Sequence, residues 1–250
     1  MRLFISLRPV VLSGLILLMA SFAAPAQAQI VPSEESLSEL YPGKAYSPYA
    51  QRAFASRPLW GDTHLHTGLS VDAGLFGARL GLDDAYRFAM GEEVVSSTGQ
   101  PVKLSRPLDW LVIADHSDAM GFVQAMARRD PQVIAFEQGR RWADGLAAGG
   151  QESVATALDL ITTFSQGDVD PDLLGLYSPG AAAYRSIWED VITTAEEFND
   201  PGRFTALIGF EWTSLVTGNN LHRNVIFREG AELAGRVVPY TTQEPIGSTD

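Results

Sequence analysis

Three short apolar segments, separated by long stretches with helical periodicity, constrain the fold of this chain more than any other feature. They are Asp109–Ala114 (DWLVIA), Phe204–Phe210 (FTALIGF) and Asn224–Phe227 (NVIF), and polar residues follow each of them. Continuous apolar runs of this length are typical of buried strands, and strands that alternate with helices indicate parallel βα units. We therefore predict an α/β fold whose chemistry gathers at the carboxyl ends of the strands.

Amphipathic helices are expected between these strands, because apolar residues recur there every three or four positions. The predicted helices are Leu82–Gly91, Ala119–Arg129, Gln132–Leu146, Val154–Phe164 and Ala181–Phe198. We expect loops at Gly145–Gly150 and Pro171–Gly180, because glycine and proline residues in these stretches interrupt regular structure.

The N-terminus has the organisation of a secretory signal peptide. Arg2 and Arg8 supply positive charge, Val10–Ala20 is an apolar run, and Ala26 and Ala28 are small residues of the kind a signal peptidase accepts. We predict a signal peptide over residues 1–28, an N-terminal lead-in over 29–58 and one domain over 59–250. The expected location is the periplasm or the exterior, with no stable membrane anchor after cleavage.

Charge and cysteine content exclude several classes of function. The 250 residues carry a formal net charge of -12 and no cysteine. An acidic chain without a basic face is a poor partner for nucleic acid, which proteins bind through lysine and arginine. The lack of cysteine excludes thiolate metal sites and disulfides. A metal site in this chain would therefore have no thiolate ligand.

The four histidines of the chain all lie in polar segments beside a probable strand. His64 and His66 are two residues apart in GDTHLHTGLSVDAG, so both rings project from the same face of an extended backbone and can chelate one divalent ion. Asp72 follows in a glycine-bounded loop. His116 is the next-to-last residue of LVIADHS, and His222 lies in GNNLHRN. Each histidine alone also fits an ordinary hydrogen-bonding role, and Asp72 alone fits a turn.

Two acids and one arginine accompany these histidines. Asp115 and Glu211 stand at the ends of apolar strands, where a buried acid needs a partner. Arg223 follows His222 and has the geometry to hold an anionic oxygen. Taken singly, Asp115 can orient a histidine, Glu211 can be half exposed, and Arg223 can pair with a surface acid. The occurrence of all four histidines beside strands, together with these acids, favours a multimetal site. Its predicted ligands are His64, His66, Asp72, His116, Glu211 and His222.

The order of these motifs resembles the polymerase and histidinol phosphatase (PHP) superfamily. GDTHLHTGLSVDAG and DWLVIADHSD resemble, more narrowly, a domain-of-unknown-function family of exported PHP-like proteins, and the similar span runs from Leu59 to Phe227. The resemblance implies an incomplete distorted (β/α)7 barrel holding two or three Zn, Mn or Fe ions. PHP proteins complete their site with a later histidine or cysteine and an Asp-x-His pair. No histidine or cysteine follows His222, so the chain is expected to be the N-terminal part of a longer protein.

The resemblance also implies a role for each ligand. His64 and His66 would hold the first ion, and Glu211 would bridge it to a second ion that His222 also binds. Asp72 and His116 would serve the third ion. Asp115 would support a ligand from behind, and we include it with Arg223 among the residues that assist catalysis.

These observations predict a metal-dependent hydrolase. Among hydrolases they favour a phosphoesterase, which would use a metal-activated water to cleave a small phosphorylated substrate. Two alternatives remain open. An amidohydrolase-like enzyme would normally use a strand-end lysine, whereas the similar span offers only Lys103 in a proline-flanked loop. The other is a non-catalytic periplasmic metal-binding protein or a degenerate fragment.

Overall fold

A parallel sheet is present, as the sequence predicts, in the computed structural model, which describes residues 58–214 and 221–242. The strands in these ranges are β1 (Gly61–Leu65), β2 (Val94–Val95), β3 (Pro101–Val102), β4 (Trp110–Ile113), β5 (Thr205–Leu207), β6 (Gly209–Ser214) and β7 (Leu221–Ile226). The parallel sheet has three strands in the order β1-β4-β5. Leu111, Val112 and Ile113 of its middle strand are almost fully buried, which explains why that strand is apolar throughout.

Helices occupy all five segments for which the periodicity predicts them. Their bounds in the described ranges are α1 (Val71–Leu75), α2 (Leu82–Ala89), α3 (Phe122–Ala127), α4 (Pro131–Ile134), α5 (Glu137–Ala148), α6 (Gly150–Gln166), α7 (Pro171–Gly175), α8 (Ala182–Phe198) and α9 (Ala231–Ala234). The single helix expected over Gln132–Leu146 is instead two, α4 and α5, because Phe136 has an extended backbone.

The two predicted loops also differ from the structure. Gly145 belongs to the last turn of α5, and only Gly149 separates that helix from α6. The Pro171–Gly180 stretch begins with α7, since the side chain of Asp170 accepts hydrogen bonds from the first free backbone amides and Pro171 occupies the first helical position.

The last two strands correct the expectation of uniform parallel βα units. β6 and β7 form a separate antiparallel pair, in which Glu211 lies opposite Asn224 and Thr213 lies opposite His222. Only residues 215–220 separate them in the sequence, and a parallel crossover needs about a dozen residues or more. The strand expected over Phe204–Phe210 is accordingly divided between β5 and β6.

The architecture is mixed α/β, with no closed barrel in the residues that the structure describes. The parallel sheet is open and has three strands, while β2 and β3 form another small antiparallel sheet. The expected incomplete distorted (β/α)7 barrel is therefore confirmed only as far as its α/β class and its parallel sheet.

Two buried clusters hold the described residues together. In the first, α2 and α8 pack on the parallel sheet, with Tyr86, Tyr184 and Trp188 buried against it. In the second, Trp142 of α5 and Phe122 of α3 meet edge to face within the helical segment between β4 and β5. This helical segment thus builds a core of its own.

Two expectations about the N-terminus concern residues whose structure is not described. The predicted signal peptide over residues 1–28 lies outside the described ranges, as does the lead-in up to residue 57. Among the helices in the described ranges, none has the length and apolar character needed to cross a membrane.

Gly61 tests how tightly β1 is packed against β4. A side-chain carbon at residue 61 would overlap both the indole ring and the backbone oxygen of Trp110, its partner in the register. We expect Gly61→Ala to lower the free energy of unfolding by about 2 kcal/mol, because the strands must shift apart. Denaturant unfolding measures this change. Gly180→Ala is the control, since open space surrounds Gly180, and equal stability of the two variants would contradict the expectation.

Candidate metal site

Six side chains meet in three overlapping groups, each with its potential ligand atoms within 4.8 Å of one another. The groups are His64, His66 and Glu211; His66, Asp72 and His116; and His116, Glu211 and His222. All six residues predicted as metal ligands are thus close together. Such groups of histidine and carboxylate are able to hold a metal ion.

Strand pairing brings these residues together. β1 and β4 run parallel, so His66 and His116 both follow strands at the same edge of the sheet. The register between β1 and β4 shifts between Asp62 and Leu65, next to His64, and irregularities of this kind recur beside functional sites. Glu211 reaches the same edge because its backbone bridges to His116, with Ser117 N donating to Glu211 O at 2.9 Å.

Glu211 lies at the centre of the cluster, and its side chain is fully buried. Its Oε2 atom is 2.9 Å from His64 Nε2 and 2.8 Å from His66 Nε2, while Oε1 is 2.5 Å from His222 Nδ1. Within the described part of the chain, neither carboxylate oxygen has a partner in hydrogen-bonding geometry. Ligands about 2.1 Å from a common ion lie roughly 3.0–3.4 Å apart, depending on whether the geometry is octahedral or tetrahedral. The two contacts of Oε2 are close to the lower end of this range, as for atoms that share an ion.

His66 is held in an orientation suited to metal binding. Its Nδ1 atom is 3.0 Å from Asp72 Oδ1 and 3.2 Å from Ser70 Oγ. Its Nε2 atom is buried beside Glu211 and has no hydrogen-bond partner among residues 58–214 and 221–242. A carboxylate at one ring nitrogen fixes the tautomer and presents the other nitrogen to an ion.

His116 is held from the opposite side of the cluster. Thr213 Oγ1 lies 2.9 Å from His116 Nδ1, which leaves Nε2 directed at the two acids, 3.5 Å from Asp72 Oδ2 and 3.5 Å from Glu211 Oε2. The hydroxyl also lies 3.4 Å from His222 Nδ1. Thr213 thus orients one histidine and contacts a second.

The electrostatics favour ionised carboxylates in the cluster. Burial by itself would raise the pKa of Asp72, but hydrogen bonds with His116, His66 and Ser70 outweigh it and hold that pKa well below its usual range. Burial likewise opposes ionisation of Glu211, yet His64 and the neighbouring charges of His116 and His222 lower its pKa. Both acids are therefore available as anionic ligands.

Asp115 contacts the cluster through Thr67 rather than through a histidine. It is buried and accepts hydrogen bonds from Thr67 N at 2.5 Å and from Thr67 Oγ1 at 2.7 Å. Burial raises the pKa of Asp115 to about 6 in spite of these hydrogen bonds. Asp115 therefore fixes the residue that follows His66, and we describe it as a positioning residue.

Arg223 is the one predicted site residue that the structure places apart from the cluster. Successive side chains of a strand point to opposite faces, and β7 directs His222 toward Thr213 and Glu211. Arg223 pairs with Trp212 in the register, on the other face of the β6-β7 pair, and it is exposed. The expected anion contact from Arg223 therefore has no geometric support.

Sequence reasoning missed three supporting residues: Thr67, Ser70 and Thr213. A signal for Thr213 was present, because it lies two residues after Glu211 and so shares its face of the strand. Ser70 Oγ donates to Asp72 Oδ1 at 2.6 Å and accepts from His116 N at 3.1 Å. The second of these contacts is long-range, and no local pattern indicates it.

Comparison with known proteins supports one assignment. The family model described as "Protein of unknown function (DUF3604)" matches residues 53–250. The chain belongs to the DUF3604 family. The expected membership of the PHP superfamily is wrong, because the match is to DUF3604 and nothing in the comparisons indicates a PHP protein. No curated protein and no solved structure matches the chain. The assignment of ligands in this DUF3604 protein therefore rests on its own geometry.

Thr67→Val tests the hydrogen bond behind the cluster. The substitution removes the hydroxyl that donates to buried Asp115, and we expect the free energy of unfolding to fall by about 2 kcal/mol. Chemical denaturation of the metal-free protein measures this. The matched control is Thr193→Val on the exposed face of α8. Equal stability of the two variants would argue against the role of this contact.

Proposed function

We propose that this DUF3604 protein is an exported metal-dependent hydrolase, acting as a phosphoesterase on a small phosphate ester. The observation that carries the proposal is Glu211, a fully buried acid that faces histidine nitrogens on several sides with no hydrogen-bond partner in the described residues. A buried carboxylate without a hydrogen bond is costly. A divalent ion removes that cost, and Zn, Mn and Fe all accept such ligands.

The overlap of the three groups supports a site with two or three ions. Glu211 belongs to two of the groups and has two carboxylate oxygens, so two ions could share it and would then lie only a few ångströms apart. Paired ions at about 3.5–4 Å are typical of phosphatases and nucleases, where they hold both the attacking and the leaving oxygen. A two-ion site would suit phosphate ester hydrolysis, because charge develops on both of these oxygens.

Bound ions would supply an activated water and positive charge for the phosphoryl oxygens. The hydrolysis consumes one water, whose oxygen bonds to phosphorus while the bond from phosphorus to the leaving oxygen breaks, and the alcohol departs with a proton from that water. Glu211 and Asp72 provide the negative charge that retains the ions. Ser70 and Thr213 hold His66 and His116 in place.

Neither of the two cations considered from the sequence, Arg223 and Lys103, has a place in this division of labour. Arg223 is on the other face of its strand pair, and Lys103 is exposed beyond β3 in a different sheet. Lys103 is therefore also unsuited to the lysine role of an amidohydrolase. A non-catalytic metal-binding protein would share the cluster and differ only in turnover.

Elemental analysis and ester hydrolysis on the full chain test the proposal together. We expect two or more ions per chain, and release of p-nitrophenol from p-nitrophenyl phosphate or its diester when Mn or Zn is added. A His64→Ala, His66→Ala double variant should lose both bound metal and hydrolysis. Bound metal without turnover of any ester would favour the non-catalytic alternative, and lack of metal in the wild type would overturn the proposal.

A further inference from the structure

A cavity of about 380 Å³ opens beside the metal cluster, and four residues of the cluster region line it: Asp72, His116, Thr213 and His222. We propose that this cavity binds the leaving group of the substrate and selects an apolar, aryl or alkyl group that carries a hydrogen-bond donor. This inference rests on the proposed function for its chemical step. A volume of this size lies within the range of pockets for small molecules.

The wall opposite the cluster is apolar. Leu75 comes from α1, the helix that also carries Asp72, and Leu160, Ile161 and Phe164 come from α6. Leu75 and Leu160 are buried, whereas Ile161 keeps 41% of its surface exposed. An apolar group that enters the cavity would remove this exposed surface from water, which favours binding.

A polar contact is available at one place in this apolar wall. Asp118 lines the cavity and is only 6% exposed. Its Oδ1 atom accepts hydrogen bonds from Thr242 N and Thr242 Oγ1, but its Oδ2 atom has no partner among the residues that the structure describes. A buried carboxylate oxygen without a hydrogen bond, in a residue that lines the cavity, calls for a donor. A hydroxyl or ammonium group on the ligand would supply it.

The charge of the lining excludes another class of leaving group. No lysine or arginine is among the described residues that line the cavity, whereas Asp72 and Asp118 are. With Asp72 engaged by an ion, a nucleotide or a second phosphate would still meet Asp118 without a lysine or arginine in the lining to offset its charge. The cavity therefore favours a neutral or cationic leaving group over an anionic one.

The substitution Ile161→Asn tests the apolar wall, and Leu158→Asn is its matched control. Both residues are exposed and apolar on α6, but only Ile161 lines the cavity. Affinities for benzylphosphonate and methylphosphonate are measured by calorimetry with Mn bound, and kcat/KM is measured for benzyl phosphate and methyl phosphate. We expect Ile161→Asn to lower the preference for the benzyl compounds by about fivefold, with no change in Leu158→Asn.

The substitution Asp118→Asn tests the polar contact with the same assay. We expect the wild type to bind an aminomethyl-substituted benzylphosphonate about tenfold more tightly than benzylphosphonate, and the variant to lose this preference. Affinity for methylphosphonate reports separately on the metal cluster in the same variant.

These measurements separate the inference from the proposed function. Benzylphosphonate binding that depends on Ile161, without ester hydrolysis, would support the cavity and contradict the phosphoesterase. Hydrolysis with equal kcat/KM for benzyl and methyl phosphate, unchanged in Ile161→Asn, would overturn the cavity and leave the phosphoesterase standing. Absence of any phosphonate binding would also overturn the inference.

Discussion

Replacing Glu211 by glutamine is expected to remove at least one ion per chain and to lower hydrolysis of p-nitrophenyl phosphate by about a hundredfold or more. Glu211 belongs to two of the three groups of potential ligands, so two sites lose their carboxylate at once. Glutamine keeps the volume of the side chain, but it is neutral and turns an amide NH2 group toward a histidine. Elemental analysis and initial rates measure the effect.

A second carboxylate provides the control for this result. Glu189 lies exposed on α8, away from the cluster, so Glu189→Gln should retain the metal content and rate of the wild type. Circular dichroism of Glu211→Gln should show an unchanged helical signal, because the substitution is isosteric. Full metal content together with full activity in Glu211→Gln would contradict both the ligand assignment and the proposed mechanism.

Much of the secondary structure follows from local pattern. The helical periodicity of Ala181–Phe198 predicts α8 almost to the residue, because its buried face carries Tyr184, Trp188, Val191 and Ala195 at helical spacing. Pairing between strands does not follow in the same way. The segment NVIF looks like any buried strand, and its antiparallel pairing with β6 depends on the short connection and on register.

In the candidate site, the residue types could be predicted from the sequence, but the directions of the side chains could not. The histidines and acids beside predicted strands could be identified as candidate ligands from the sequence, and the six predicted ligands do come together. The direction of a side chain depends on strand alternation, which requires the bounds of the strand. Since β7 begins at Leu221 rather than at Asn224, His222 lies inside it, and adjacent Arg223 must point to the other face.

The hydrogen bonds that distant residues make to the site could not be predicted, for a different reason. Asp115 looks like a partner for His116, its neighbour in the sequence, yet the fold brings Thr67 to it across the β1-β4 pair. Likewise Asp118 receives Thr242 from far along the chain. Such contacts are set by packing in three dimensions, and a single sequence carries no local signal for them.

Removal of metal is expected to lower the melting temperature of the wild-type protein by about 10 °C. Ions held at a concentration of about a thousand times Kd stabilise the fold by about 4 kcal/mol, and each kcal/mol corresponds to about 2–4 °C for a domain of this size. The physical reason is that the ligands come from β1, α1, β6, β7 and the end of β4. An ion therefore links segments that are distant in the chain, and it neutralises the buried carboxylate of Glu211.

Thermal melts with excess Mn and with a chelator measure this difference on the full chain. In the His64→Ala, His66→Ala variant, the melting temperature should respond much less to chelator, because two of the three groups have lost a ligand. A fall of the wild-type melting temperature with chelator distinguishes this cluster from one held by hydrogen bonds alone. If direct contacts between histidines and Glu211 satisfied the site, the chelator would leave the wild-type melting temperature unchanged, and the metal site would have to be abandoned.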